Sequence, residues 1–322
     1  MKKFLFLTLI FLFTLKIYCS DATTDFAKIE SDWKKYLEST NNFSAEEEAA
    51  FRIWGFESPN LNGRYDNIKD FPKKIKINNY EHLQMPTRDG LTLDGWFIPV
   101  ENAKGTFLIV NWHSGDMSQL LTYTRVLLKL NYQLIVYNIR FWNYADKPEQ
   151  FVGSIKNDIN DIEDILTYIK TRKDIDTSKL GIMGFSRGGY RAILAGAKFS
   201  DFKVVISDGG PTSENMYHWQ PKEFREKVAN ILKEKTGIDV LSDEFNSELQ
   251  IAKISPRPVL LLYGGADNLV VPENGKKYQQ KAKQPKKLMI FKGAGHCNAL
   301  NTKGAREIYI KTITEFLNKY LK

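Results

Sequence analysis

The sequence of 322 residues predicts an α/β fold, in which a mostly parallel, doubly wound sheet carries a small helical lid and an N-terminal helical extension. Strand-like and helix-like segments alternate from about residue 91 to the C-terminus, the order expected of a parallel sheet with helices on both faces. Several strand-like segments, such as residues 107–110, are continuous apolar runs, which is typical of buried parallel strands. A composition with 43% hydrophobic and 13% aromatic residues allows a large core and excludes a disordered chain.

The first twenty residues are predicted to be a signal peptide rather than part of the fold. Lys2 and Lys3 precede the uncharged, mainly apolar residues 4–15, a run shorter than the roughly 20 residues that a membrane-spanning helix needs. We therefore expect the protein to be exported, either to a periplasm or into the medium. Cys19 leaves a lipoprotein open as an alternative, and membrane association is expected only if Cys19 is lipidated.

The rest of the chain divides into an extension, residues 21–79, and a main domain, residues 80–322. In the extension, residues 26–37 and 45–54 have helical patterns. The predicted strands are residues 91–100, 105–112, 132–138, 180–185, 203–208, 259–263 and 287–291. The predicted helices of the main domain are residues 155–170, 188–198, 223–235, 273–283 and 304–320. Residues 211–251 contain a helical pattern but no strand, so we place the lid there.

The helix at residues 155–170 has the clearest periodicity. Its apolar residues recur at helical spacing and predict one buried stripe, formed by Ile155, Ile159, Ile162, Leu166 and Ile169. The acidic residues between them are expected to form a solvated outer face.

Charge, cysteine and histidine usage limit the partners and cofactors. The formal net charge is +8, but lysines are scattered and no basic run is interleaved with aromatic residues, so no nucleic-acid partner is expected. Cys19 and Cys297 are far apart, and neither a C-x-x-C nor an H-E-x-x-H pattern is present, so we predict no metal and no cofactor. The sequence contains nothing that specifies an oligomeric state.

A candidate nucleophile lies in the segment from Gly184 to Gly189, which reads G-F-S-R-G-G. It follows an apolar strand and precedes an Ala-rich helical segment. Small residues at 184 and 188 permit the sharp strand-to-helix turn that exposes Ser186 at a helix N-terminus, where developing negative charge is favoured. The alternative is a glycine-rich turn with a buried serine.

A serine hydroxyl needs a base and an acid that orients this base, and both have candidates downstream. Asp267 follows the strand at residues 259–263, and His296 follows the strand at residues 287–291, so both lie where open α/β sheets build their sites. Asp267 could instead cap a turn, and His296 could be a surface histidine. Asp208 is an alternative acid, and Cys297 is an alternative nucleophile.

The chain from about Pro86 to Tyr320 resembles the α/β-hydrolase superfamily, in particular its esterase and serine-aminopeptidase-like branch. The order Ser186, Asp267, His296 is the order of that fold's triad, and residues 87–99 look like its strand-turn-strand entry. The resemblance implies an α/β-hydrolase fold and an oxyanion hole made by backbone N–H groups. By this analogy the donors are Arg187 and Gly115, which lies in His-Ser-Gly where relatives have His-Gly.

The substrate pocket departs from the family pattern. Relatives have glycines in the turn after the strand at residues 132–138, whereas this chain has Phe141 and Trp142. With Trp219 of the lid as a further lining candidate, we expect a narrow pocket that favours short acyl groups.

Together these features predict a serine hydrolase that cleaves a carboxylic ester or a related acyl bond through a Ser-His-Asp triad and an acyl-enzyme, with a small-molecule or acyl substrate. A serine peptidase or aminopeptidase and an inactive hydrolase-fold binding protein are the alternatives.

Overall fold

The computed structural model describes residues 68–112, 117–140, 155–216 and 222–321. Several predictions concern residues outside these ranges: the signal peptide with Cys19, the helical patterns of the extension, Gly115, Phe141, Trp142 and Trp219. Within the described ranges, no helix combines the length and the apolar character that crossing a bilayer requires.

One eight-stranded sheet forms the centre of the fold, in the order β1-β2-β4-β3-β5-β6-β7-β8. Its strands are β1 (Glu81–Pro86), β2 (Thr92–Ile98), β3 (Thr106–Val110), β4 (Gln133–Tyr137), β5 (Leu180–Phe185), β6 (Phe202–Asp208), β7 (Val259–Gly264) and β8 (Lys286–Phe291). Strand β2 runs antiparallel to both β1 and β4, and every other neighbouring pair is parallel. The predicted mostly parallel sheet is thus confirmed.

Helices alternate with the strands. They are α1 (Phe71–Lys74), α2 (Met117–Lys129), α3 (Ile155–Thr171), α4 (Arg187–Lys198), α5 (Lys222–Thr236), α6 (Ser247–Gln250), α7 (Glu273–Lys281) and α8 (Arg306–Tyr320). Short 3₁₀ turns precede β5, flank α6 and lead into α8. The described residues between β6 and β7 contain α5, α6 and two 3₁₀ turns, and no strand.

Side-chain alternation along the strands builds a core on each face of the sheet. On β3, Leu108 and Val110 join the core that includes α3 and α4, whereas Phe107 and Ile109 join the core that includes α2 and α8. Both faces are therefore covered, as a doubly wound sheet requires.

Strand β1 and helix α2 were not predicted from the sequence. In β1 only Leu83 and Met85 are buried, and the other four residues are exposed. Because β1 is an edge strand with one neighbour, two alternating apolar residues are enough to bury one of its faces. This signal is too short to distinguish a strand from a loop by pattern alone.

The apolar stripe of α3 is buried as predicted, but the expectation of a fully solvated acidic face was wrong. Asp158 and Asp161 are also buried. The Arg191 Nε atom lies 2.6 Å from Asp158 Oδ2, and the Arg140 guanidinium pairs with Asp161. A buried carboxylate requires a charged or hydrogen-bonding partner, and here the partners connect α3 to α4 and to the segment that follows β4.

Candidate active site

The candidate nucleophile lies in a strained turn between β5 and α4. Ser186 has φ of 53° and ψ of −125°, a conformation that a non-glycine residue adopts only when its surroundings enforce it. Its backbone N–H donates to the carbonyl oxygen of Asp208 at 2.7 Å, so the turn is held against the end of β6. The turn therefore has the predicted strand-to-helix form.

Glycines at 184 and 188 are required by close backbone approach. A Cβ atom on Gly184 would lie 2.0 Å from the carbonyl oxygen of Gly188. A Cβ atom on Gly188 would lie 2.3 Å from the carbonyl oxygen of Val110 and 2.4 Å from that of Asn111. Only residues without a side chain let the first turn of α4 approach β3 and β5 this closely.

We expect Gly188→Ala to lower the free energy of unfolding by about 3 kcal/mol, because the new methyl group meets backbone atoms that cannot rotate away. For a domain of this size the loss corresponds to a fall in Tm of about 10 °C. Gly295→Ala is the matched control for thermal denaturation, since nothing lies within 4 Å of a Cβ atom at that position. Equal Tm values for the two variants would show that the turn has room for a side chain.

Asp267, which is buried, and His296, which is partly exposed, form a hydrogen-bonded pair on the loops that follow β7 and β8. His296 Nδ1 lies 2.6 Å from Asp267 Oδ2. The other carboxylate oxygen, Oδ1, accepts the backbone N–H groups of Leu269 at 2.9 Å and Val270 at 2.8 Å. With both oxygens engaged, the carboxylate has a fixed orientation, and Nδ1 carries the proton that it donates. This tautomer leaves Nε2 as the proton acceptor.

The end of β6 brings the turn and this pair together. A Cβ atom on Gly209 would lie 3.3 Å from His296 Cε1 and 2.7 Å from Cys297 Sγ, so the residue that follows Asp208, the acceptor of the Ser186 N–H, lies beside the imidazole. Among the described contacts, the Ser186 hydroxyl makes no hydrogen bond to His296. Such bonds are often long without substrate and shorten in the reacting complex.

Cys297 is a buried thiol beside the imidazole. Its Sγ atom lies 3.8 Å from His296 Nε2 and donates to the carbonyl oxygen of Asp208 at 3.3 Å. Burial raises the pKa of the Cys297 thiol well above its usual value, and the charges of Asp208 and Asp267 raise it further. Because the thiolate is the reactive form, this environment favours Ser186 as the nucleophile.

Asp208 has a different partner from the one expected of an orienting acid. Its Oδ2 atom accepts the Tyr309 hydroxyl at 2.8 Å, and no hydrogen bond among the described residues joins its carboxylate to His296. By geometry, Asp267 rather than Asp208 is the candidate acid, because it bonds the imidazole. Tyr309 comes from α8, and no motif in the sequence indicated its role.

Arg187, the second predicted oxyanion residue, is the first residue of α4. Its backbone N–H belongs to the first turn of the helix, where intrahelical acceptors are lacking and anions bind well. Within the described ranges, no group of three or more His, Cys, Asp or Glu side chains could hold a metal ion.

A cleft of about 620 Å³ reaches Arg187 from the side of α5 and α6. Its apolar lining includes Tyr190, Met216 and Phe245, none of which the sequence singled out. Lys277 and Glu214, 2.6 Å apart, form an ion pair on its wall. The cleft can therefore accept an apolar group with a polar end beside Arg187, although Ser186 is not among its lining residues.

Comparison with known sequences identifies relatives over most of the described chain. Residues 154–322 match the sequence profile of the prolyl oligopeptidase family. The uncharacterized protein YfhR of Salmonella typhi is 25% identical over 257 residues, which cover 75% of this chain and 82% of that protein. The α/β hydrolase domain-containing protein WAV2 of Arabidopsis thaliana is 26% identical over 256 residues, or 75% of this chain and 79% of that protein.

Among solved structures, an esterase of Pyrococcus furiosus has a similar fold. The superposition has a TM-score of 0.60 at 17% identity and covers 84% of this chain and 98% of the esterase.

Proposed function

Because the chain belongs to the prolyl oligopeptidase family and folds as an α/β hydrolase, we propose that it is a serine hydrolase that cleaves a carboxylic ester or a related acyl bond. The observation that carries this proposal is the Asp267–His296 hydrogen bond of 2.6 Å, placed beside the strained turn of Ser186. The three residue types and their order along the chain are those of an acyl-transfer triad.

In this proposal the Ser186 hydroxyl attacks the substrate carbonyl while His296 Nε2 takes its proton. Asp267 holds the Nδ1–H tautomer and stabilises the imidazolium that forms. The Arg187 N–H at the start of α4 is one donor to the oxyanion. The dipole of this N–H group is already oriented toward the oxyanion position before the negative charge develops. The imidazolium then protonates the leaving group, which departs and leaves the acyl-enzyme. Water next attacks the acyl carbon while His296 takes a proton from it, and the imidazolium returns this proton to Ser186 as the carboxylic acid leaves.

A serine peptidase or aminopeptidase is the second candidate function, and the match to the prolyl oligopeptidase family supports it. Both reactions use the same three residues and differ only in the leaving group, an alcohol or an amine. An inactive binding protein is less consistent with the site, since nothing about binding alone requires the backbone strain at Ser186 or the imidazole–carboxylate pair.

The proposal is tested by treating the full chain with a fluorophosphonate probe and locating the label by peptide mass spectrometry. We expect one label, on Ser186, and none on heat-denatured protein, because only the folded site activates the serine. Label on Cys297, or no label on folded protein, would contradict the assignment.

A substrate series separates the two candidates. We propose that Phe141 and Trp142 narrow the pocket, so p-nitrophenyl esters with short acyl chains should have the highest kcat/KM. The decline with chain length should be graded, because one methylene changes binding in an apolar pocket by only about 1 to 3 kcal/mol. A preference for acyl chains of twelve carbons or more would refute the narrow pocket. Faster cleavage of aminoacyl p-nitroanilides than of any ester would favour the peptidase.

A further inference from the structure

A buried arginine on the helix that follows the nucleophile turn has no part in the proposed mechanism. Arg191 lies on α4 and is 1% exposed. Its Nε atom donates to Asp158 Oδ2 of α3 at 2.6 Å. Its Nη1 atom donates to the backbone carbonyl oxygens of Asn111 at 3.2 Å and Trp112 at 3.5 Å. One guanidinium therefore connects α3 and α4 to the residues that follow β3.

The end of β3 borders the nucleophile turn. Strand β3 is the parallel neighbour of β5, and Val110 pairs with Gly184. The carboxyl ends of the two strands therefore lie side by side, so the residues after β3 begin next to the turn of Ser186. A Cβ atom on Gly188 would lie 2.3 Å from the Val110 carbonyl oxygen and 2.4 Å from that of Asn111. The end of β3 is thus packed directly on the first turn of α4.

The backbone at residues 111 and 112 is fixed by side chains. Both residues lie beyond Val110, the last residue of β3 that pairs with β5. Besides the two bonds from Arg191, the Asn111 Oδ1 atom accepts the Trp112 N–H at 2.9 Å. Hydrogen bonds from a charged donor are stronger than those from a neutral one, and burial in a low dielectric strengthens them further. The guanidinium is therefore a firm support for this part of the backbone.

We propose that Arg191, held by Asp158, is a positioning residue that fixes the backbone after β3 against the first turn of α4, where the oxyanion is stabilised. The inference rests on the proposed function, in which the Arg187 N–H is one oxyanion donor. The predicted second donor, Gly115, follows Trp112 by three residues. Such donors act only when they already lie about 2.7 to 3.1 Å from the oxyanion position. A displacement of about 1 Å can cost about 100-fold in rate.

The test must separate position from stability. Arg191→Met alone leaves the Asp158 carboxylate buried without its charged partner, which destabilises the fold. The double variant Arg191→Met/Asp158→Asn removes both charges and keeps similar side-chain volumes. We expect its Tm to exceed that of Arg191→Met, while kcat for a short p-nitrophenyl ester stays about 30-fold below the wild type with KM within about twofold. Recovery of kcat together with Tm would show a structural role only and overturn the proposal.

A second buried ion pair on α3 provides the matched control. Asp161 lies three residues after Asp158, is 2% exposed and bonds Arg140, which follows β4 rather than β3. We expect Asp158→Asn to lower kcat about tenfold, because the guanidinium loses its anchor on α3. Asp161→Asn should keep kcat within about twofold, although both variants lower Tm. Equal losses of kcat would show that any break in these ion pairs has the same effect, which contradicts the proposal.

A transition-state analogue gives a second readout. Ser186 adds to a short-chain alkyl boronic acid to give a tetrahedral adduct, which resembles the intermediate of the proposed reaction more closely than the ester does. In Arg191→Met/Asp158→Asn we expect the Kd of the boronic acid to rise by about the same factor by which kcat falls. An unchanged Kd would mean that Arg191 does not act on the stabilisation of the oxyanion.

Hydrogen exchange tests the positioning without turnover. In the full chain of Arg191→Met/Asp158→Asn, we expect faster amide exchange in peptides that cover residues 106–116, and wild-type exchange there in Asp161→Asn. Unchanged exchange in the double variant would overturn the proposal even if Ser186 reacts with the fluorophosphonate. Failure of Ser186 to react in the wild type would instead overturn the proposed function. If the double variant does not fold, Arg191→Lys carries the same test, because lysine keeps a charge for Asp158 but lacks the forked second donor.

Discussion

Ser186→Ala should lower kcat for ester hydrolysis by about 10⁴- to 10⁶-fold. The variant removes the only atom that forms the acyl-enzyme in the proposed mechanism, so His296 and Asp267 no longer have a hydroxyl to activate. Removing any one member disables the whole triad, and only the rate supplied by the oxyanion donors and substrate binding remains. Initial rates with a short p-nitrophenyl ester, together with loss of fluorophosphonate labelling, measure the effect.

The same substitution should leave the fold intact. Alanine keeps the Cβ atom of serine, so the cost of a positive φ at this position is unchanged, and the hydroxyl makes no hydrogen bond among the described residues. We expect Tm within a few degrees of the wild type. Ser178→Ala is the control for serine removal, since Ser178 lies at the opposite end of β5. Full esterase activity in Ser186→Ala would exclude this serine as the nucleophile.

Local pattern was sufficient for those parts of the fold whose sequence signal is long and regular. Buried parallel strands are continuous apolar runs, and α3 repeats its apolar residues at helical spacing, so both could be predicted. The resemblance to the α/β-hydrolase superfamily was also correct. Edge strand β1 was missed because its burial depends on pairing with β2, which no local pattern of two apolar residues can indicate.

For the candidate site, the sequence could predict only which residues lie near one another at the ends of the strands. In a parallel sheet the carboxyl ends of β5, β7 and β8 meet at one edge, so the turn of Ser186 and the loops of Asp267 and His296 were expected to be near one another. Asp267 was predicted to bond the imidazole, with Asp208 as the alternative. That choice depends on the packing of α8, because Tyr309 from this helix occupies the Asp208 carboxylate.

The identity of the acid leads to the second large effect: Asp267→Asn should lower kcat by about 10⁴-fold. The asparagine oxygen can keep the two backbone N–H groups of Leu269 and Val270, which turns its amide NH₂ toward His296. Nδ1 must then accept rather than donate, so the ring proton moves to Nε2. An imidazole protonated at Nε2 cannot take the proton of Ser186, and catalysis is lost although the geometry is nearly unchanged.

Asp208→Asn provides the matched comparison, since it is the same chemical change on a neighbouring buried carboxyl that does not bond the imidazole. We expect a far smaller loss of activity from it, because the Asp208 carboxylate bonds Tyr309 rather than the imidazole and the tautomer of His296 is kept. Measuring kcat for both variants at pH 8.5, with Tm as a check on folding, ranks the two carboxylates. The reverse ranking would place the orienting acid at the end of β6, and the 2.6 Å contact between Asp267 and His296 would then be a structural hydrogen bond.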